Sequence, residues 1–120
     1  MISSYNFLGL VCADVPASTE FFTDVLGFKV NAEESVPGIY SQFETQDGAV
    51  FSLVNGLGDA PAVQQPFDAA LEVKDIESTF ADLKAKGVEM VTEVQEMPFG
   101  RTFLFRTPDD HVLRVMQARA

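Results

Sequence analysis

The sequence holds no tryptophan, a single cysteine and a single histidine among its 120 residues. One cysteine, Cys12, excludes an internal disulfide and suits a reducing cytoplasm. Its place in an apolar stretch marks it as a small core side chain rather than a reactive thiol. One histidine, His111, leaves little imidazole for a zinc, nickel or non-haem iron centre, which ordinarily combines imidazole with carboxylates. Cations are scarce as well: 8 Lys and Arg stand against 18 Asp and Glu, a formal net charge of −10. Nucleic acid is excluded as a partner, because phosphate contacts need clustered Lys and Arg. The acidity keeps the protein in solution and favours cationic over anionic ligands. No segment approaches the roughly 18 consecutive apolar residues of a membrane span. No charged stretch followed by an apolar run opens the chain, so neither a membrane segment nor a secretory leader is expected. Phosphate-cradling glycine loops, zinc-ribbon cysteine spacings and nucleophile elbows are missing. Ser52 has no histidine in its own half to activate it.

What is present is a core and a repeat. Apolar residues make up 47% of the chain, enough for one domain over residues 1–120. Within it, Thr45–Asn55 (TQDGAVFSLVN) aligns without a gap onto Thr107–Gln117 (TPDDHVLRVMQ). Thr45, Asp47 and Val50 meet Thr107, Asp109 and Val112; Phe43 meets Phe105, and Gly38 meets Gly100. Near the start of each half, Leu10, Asp14 and Val15 meet Leu71, Asp75 and Ile76. A period of half the chain is too long for a solenoid and implies two equal supersecondary units, one over about residues 5–56 and one over about 66–118.

Each half reads as βαβββ. An apolar strand (Phe7–Cys12, Phe67–Val73) leads to a helix-capping aspartate, Asp14 or Asp75. Pro16 fits only the opening turn of a helix. Helical spacing then follows in Ala17, Phe21, Phe22, Val25 and Leu26, and in Ile76, Phe80 and Leu83. Gly27 and Gly87 suit left-handed helix ends. Three strands are expected at 28–34, 39–45 and 49–55, and again at 88–94, 101–106 and 111–117. Gln46-Asp47-Gly48 and Pro108-Asp109-Asp110 supply the last turns. Asn55–Pro61 begins a short connection between the halves.

Alternation along the strands assigns their faces. Leu8, Leu10, Cys12, Phe51, Leu53, Ala69, Leu71, Val73, Leu113 and Val115 should lie under the helices. The other face then takes Phe7, Gly9, Val11, Val50, Ser52, Val54, Asp68, Ala70, Glu72, Val112, Arg114 and Met116. If Phe43 and Phe105 also pack under the helices, Tyr40, Gln42, Glu44, Thr102 and Arg106 join this second set. A curved sheet with such a mixed face makes a cleft suited to a small molecule. Mutual pairing of Asp68 and Arg114 is the plainer alternative.

The segment Asp14–Phe28 (DVPASTEFFTDVLGF), with Leu83–Val88 (LKAKGV), Pro98–Thr102 (PFGRT) and Thr107–Asp110 (TPDD), resembles the vicinal-oxygen-chelate superfamily. That group includes glyoxalase I, extradiol dioxygenases and bleomycin resistance proteins. The resemblance spans almost the whole chain. It implies an α+β fold of two tandem βαβββ modules whose curved mixed sheets form a cleft. It also places the superfamily's four metal-ligand positions on Phe7, Ser52, Asp68 and Arg114. Phenylalanine has no lone pair to give, serine is a poor neutral ligand and arginine is a cation, so only Asp68 could bind a divalent ion. The expectation is therefore no metal and no cofactor, with Arg114 paired to Asp68 where relatives hold metal.

By the same resemblance the ligand-binding set is Phe7, Tyr40, Gln42, Ser52, Asp68, Glu72, Phe99, Arg101 and Arg114. The ligand would be a small molecule, cationic or aromatic, sequestered as drug-binding relatives do; Phe7, Tyr40 and Phe99 could stack on it. A homodimer in the cytoplasm is implied, with no membrane partner. The alternatives are a lyase, isomerase or dioxygenase-like enzyme using Asp68, Glu72 or Glu44 as a base or a weakly held divalent ion, and a partner protein with a vestigial cleft.

Overall fold

The structure is a computed structural model that describes residues 1, 7–46, 49–55, 68–98 and 100–119, the side chain of Phe7 excepted. The chain divides into two compact units, Met1–Val63 and Gln64–Ala120. Among the described residues no helix is long and apolar enough to cross a membrane.

In the first unit β1 (Phe7–Cys12) leads into α1 (Val15–Glu20), then β2 (Tyr40–Phe43) and β3 (Val50–Asn55). Asp14 starts α1 as anticipated, its carboxylate accepting from the Ala17 amide at 3.0 Å, with proline in the first turn. The helix does not run regularly to Gly27. Phe21–Val25 form a wider π-type turn, closed by a bond from the Leu26 amide to the Phe21 carbonyl. This turn seats Phe22 among Phe28, Phe43 and Phe51, at ring-centroid distances of 5.4–5.7 Å. Gly27 then reverses the chain at φ +83°. Strand order is β1-β3-β2, with β1 parallel to β3, so the unit's first and last strands are neighbours.

The strand anticipated at 28–34 is much shorter. Val30 bridges Phe43, and the amides of Asn31 and Glu44 bond across to Gln42 and Lys29 at 2.8 Å. Asn31 then caps a 3₁₀ turn, Ala32–Glu34, by accepting from the Glu34 amide. A capping asparagine followed by Ala-Glu-Glu favours this turn over continued pairing.

The second unit comprises β4 (Ala70–Glu72), α2 (Ile76–Ala85), β5 (Glu89–Met90), β6 (Gln95–Met97), β7 (Gly100–Arg106) and β8 (Val112–Ala118). Its sheet runs β4-β8-β7-β5, with β6 also pairing β7, and β4 again lies parallel to the last strand. Bonds from Arg114 N to Ala69 O and from Val73 N to Met116 O extend the β4 pairing to residues 69–73; Phe67 lies outside the described residues. Asp75 caps α2 by accepting from the Ser78 amide at 3.1 Å, and Gln117 Oε1 accepts from the Ile76 amide at 2.8 Å. At the other end, bonds from Val88 N to Leu83 O and from Gly87 N to Lys84 O form a Schellman motif around Gly87.

The single strand anticipated at 88–94 is split into β5 and β6. Between the registers Met90↔Phe105 and Gln95↔Thr102, five steps of one chain face three of the other. This is a bulge, held by the Leu104 amide donating to Thr92 Oγ1 at 3.0 Å. The 107–111 turn follows expectation: Asp110 takes φ 68°, and Thr107 Oγ1 accepts from the His111 amide. The corresponding turn residues Asp47 and Gly48 lie outside the described residues, as does most of the 55–61 connection.

Both cores confirm the alternation. Leu10, Cys12, Phe22, Phe43 and Leu53 are buried in the first unit, and Ile76, Leu83, Phe103, Phe105, Leu113 and Val115 in the second. Thr19 of α1 hydrogen-bonds Ser41, placing Ser41 and Phe43 on the helix side. Phe80 of α2 meets Phe103 edge-on at 5.1 Å. Burial of Cys12 agrees with a core thiol, and His111, at 4% exposure, is more deeply buried than a turn histidine ordinarily is.

Candidate ligand-binding site

The sheet face turned away from α2 carries the second unit's distinctive chemistry. Register sets Ala70, Arg114 and Leu104 in one row across three strands, with Glu72, Met116 and Thr102 in the next. Asp68 precedes Ala70 by two residues, so it shares this face. Arg114 reaches it: Nε lies 3.1 and 3.0 Å from the two carboxylate oxygens of Asp68, and a terminal nitrogen lies 3.0 Å from Oδ2. The other terminal nitrogen donates to Thr102 Oγ1 at 2.9 Å. The pair anticipated from parity is therefore formed, and a buried threonine extends it.

Its setting differs from a buried ion pair. The Arg114 side chain is 19% exposed, whereas that of Asp68 is 61% exposed. The carboxylate keeps much of its hydration, so its attraction to the guanidinium is screened. The guanidinium, lower in the sheet, depends more on its partners. Glu72 lies on the same face beside Met116 and is exposed.

In the first unit Tyr40, Gln42 and Ser52 share the corresponding face, away from α1. Tyr40 donates to Gln42 Oε1 at 2.8 Å, which fixes the amide's orientation, and both side chains are half-buried. Gln42 pairs in register with Ser52, and Ser52 with Gly9. Ser52 is fully buried, its hydroxyl donating to the Leu8 carbonyl at 3.2 Å.

Two residues from the sequence-based set stand apart. Arg101 has the parity of Phe103 and Phe105, so it lies on the α2 side of β7, opposite Thr102 and Arg114. There it pairs with Glu77 of α2 and lines a groove of about 410 Å³ with Phe80, Glu93, Val94 and Glu96. Arg101 therefore does not join Asp68 and Arg114. Phe99 and the Phe7 side chain lie outside the described residues. Thr102, which alternation placed on this face but the ligand-binding set omitted, is the contact that orients Arg114.

The donors fit a resident divalent ion poorly. Of the four positions carried over from the superfamily, Asp68 supplies one carboxylate, and Arg114 engages both of its oxygens. Ser52 has its proton committed to a carbonyl, and Arg114 is itself a cation. Among the described residues, no three His, Cys, Asp or Glu gather into a group that could hold a metal.

The profile of the Glyoxalase/Bleomycin resistance protein/Dioxygenase superfamily matches residues 4–115. The chain belongs to that superfamily. No curated protein matches it closely. Among solved structures it is similar to protein ATC0852 from Agrobacterium tumefaciens, at 29% identity and a TM-score of 0.80, covering 99% of this chain and 100% of that one. It is also similar to TnmS3, an antibiotic binding protein from Streptomyces sp. CB03234, at 21% identity and a TM-score of 0.79, covering 98% of both chains. A third likeness is to a lactoylglutathione lyase from Agrobacterium tumefaciens, at 15% identity and a TM-score of 0.72, covering 97% and 94%. At such identities the last two establish a shared fold only. The superfamily's name joins bleomycin resistance proteins with glyoxalases and dioxygenases, so the residues of this chain must decide between binding and catalysis.

Proposed function

We propose that this superfamily member binds and sequesters a small, planar organic molecule without a resident metal, using the sheet face of the second unit that carries Asp68, Glu72 and Arg114, and that it does so as a homodimer. The observation behind this reading is the Arg114 fork on Asp68: a guanidinium at a position where the superfamily pattern has a metal ligand, engaging the one carboxylate that could have served. A base needs a carboxylate free to take a proton, and Asp68 is already engaged. The net charge of −10 favours neutral or cationic ligands over anions. Likeness to an antibiotic binding protein agrees in fold.

The test is thermal denaturation with a panel of planar aromatic compounds, cationic and neutral. Binding to the native state alone raises apparent stability by about 2–3 kcal/mol at a hundredfold excess over Kd. At least one panel member should raise the midpoint by several degrees. A midpoint unmoved across the panel contradicts the reading.

A further inference from the structure

A guanidinium carries five N–H donors and no acceptor. In Arg114 the single Nε–H is shared between the two oxygens of Asp68, one terminal nitrogen stands 3.0 Å from Asp68 Oδ2 as an ion pair, and the other donates one N–H to Thr102. One N–H is left on each terminal nitrogen, with no partner among the described residues. The side chain is four-fifths withdrawn from water, so solvent only partly satisfies these donors. Asp68 and Thr102 also hold the group in place, so its remaining N–H bonds point in fixed directions before any ligand arrives. Little ordering entropy is then lost on binding.

From this we infer that Arg114 recognises the ligand, donating its unused N–H groups to a carbonyl oxygen of a neutral planar molecule. The inference rests on the binding role proposed above and adds the ligand chemistry. Asp68 already balances the guanidinium charge, so a ligand carboxylate would leave a surplus negative charge in a chain of net −10. A carbonyl oxygen accepts two N–H bonds without adding charge. Arg114 contributes to specificity for the same reason: an isostere without the oxygen would leave the two donors unpaired against an apolar surface, a mismatch sites of this kind reject strongly.

Three fluorescent probes of one shape separate the possibilities: acridone, neutral with a ring carbonyl; acridine, which lacks it; and acridine-9-carboxylate, an anion. Titrated into the wild-type protein, acridone should bind about tenfold or more tighter than acridine, the scale of a hydrogen bond to a charged donor. It should also bind tighter than the carboxylate. In Arg114→Gln the advantage of acridone over acridine should shrink to less than about threefold. Nitrogen-detected NMR of the wild-type protein gives a readout independent of that variant's folding: acridone, and not acridine, should shift the Arg114 guanidinium signals. Equal binding of acridone and acridine, an advantage unchanged in Arg114→Gln, or unmoved guanidinium signals on saturation would overturn the inference while leaving the binding role standing. Tighter binding of the carboxylate would overturn the choice of a neutral ligand. Failure of all three probes, together with an unmoved midpoint across the wider panel, would overturn the binding role itself.

Discussion

At the scale of single residues, the Asp68–Arg114 pair has unequal partners, and its energetics should be unequal too. Losing Arg114 leaves an exposed carboxylate that water rehydrates. Losing Asp68 leaves a largely withdrawn guanidinium without the partner of its Nε–H and of one terminal nitrogen. Asp68→Ala should therefore cost about 1–3 kcal/mol. Arg114→Ala and the double variant should lie within about 0.5 kcal/mol of each other. Urea denaturation of the three variants checks this, and a single Arg114→Ala variant clearly less stable than the double would contradict it. Strand alternation in two segments, Asp68–Val73 and Val112–Gln117, put both residues on one face, and the family resemblance implied their pairing. The pair's exposure was not legible, since burial depends on what surrounds the strand ends. Alternation also held the correct answer for Arg101. Phe103 and Phe105 are core residues two and four positions on, so Arg101 had to face α2, and the superfamily resemblance, which includes Pro98–Thr102, pointed the other way.

At the scale of elements, the helices and the closing strand of each half were readable because their signals are local: Asp14 and Asp75 as caps, Gly27 and Gly87 as terminators, and period-two runs in β3 and β8. The strands directly after each helix, expected at 28–34 and 88–94, were not. The bulge between Met90 and Gln95 and the 3₁₀ turn at Ala32–Glu34 arise from competition between strand pairing and side chains that bond the backbone, Thr92 and Asn31. That competition is decided by the neighbouring strand. Two positions carry clear predictions. A Cβ at Gly100 would run into the Gln117 carbonyl oxygen on β8, and the residue sits at φ +153°. Gly100→Ala should thus destabilise by at least about 2 kcal/mol, measured by denaturant unfolding; a loss under about 0.5 kcal/mol would contradict the tight β7–β8 approach. Gln117→Ala removes the side chain that accepts from the Ile76 amide. It should cost about 1 kcal/mol and weaken hydrogen-exchange protection in the first turn of α2. Unchanged protection there would show that the contact does not hold the helix end.

At the scale of the whole molecule, the repeat made the fold legible. Two halves with matching caps, glycines and closing turns can only be two copies of one unit, and the structure divides between them. Function was less legible, because the superfamily scaffold serves both catalysis and binding, and the distinction rests on a handful of side chains. The homodimer proposed for this chain predicts a sedimentation coefficient near that of a 26 kDa particle, roughly twice the chain mass of 13.1 kDa, at micromolar concentration; a monomer there would contradict that assembly. The central claim is that Arg114 and Asp68 stand where a metal would otherwise be held. Elemental analysis of protein purified from medium supplemented with nickel, zinc, iron and manganese tests it most directly. The metal content should be far below one ion per chain, whereas a stoichiometric content of any of these four would contradict the claim.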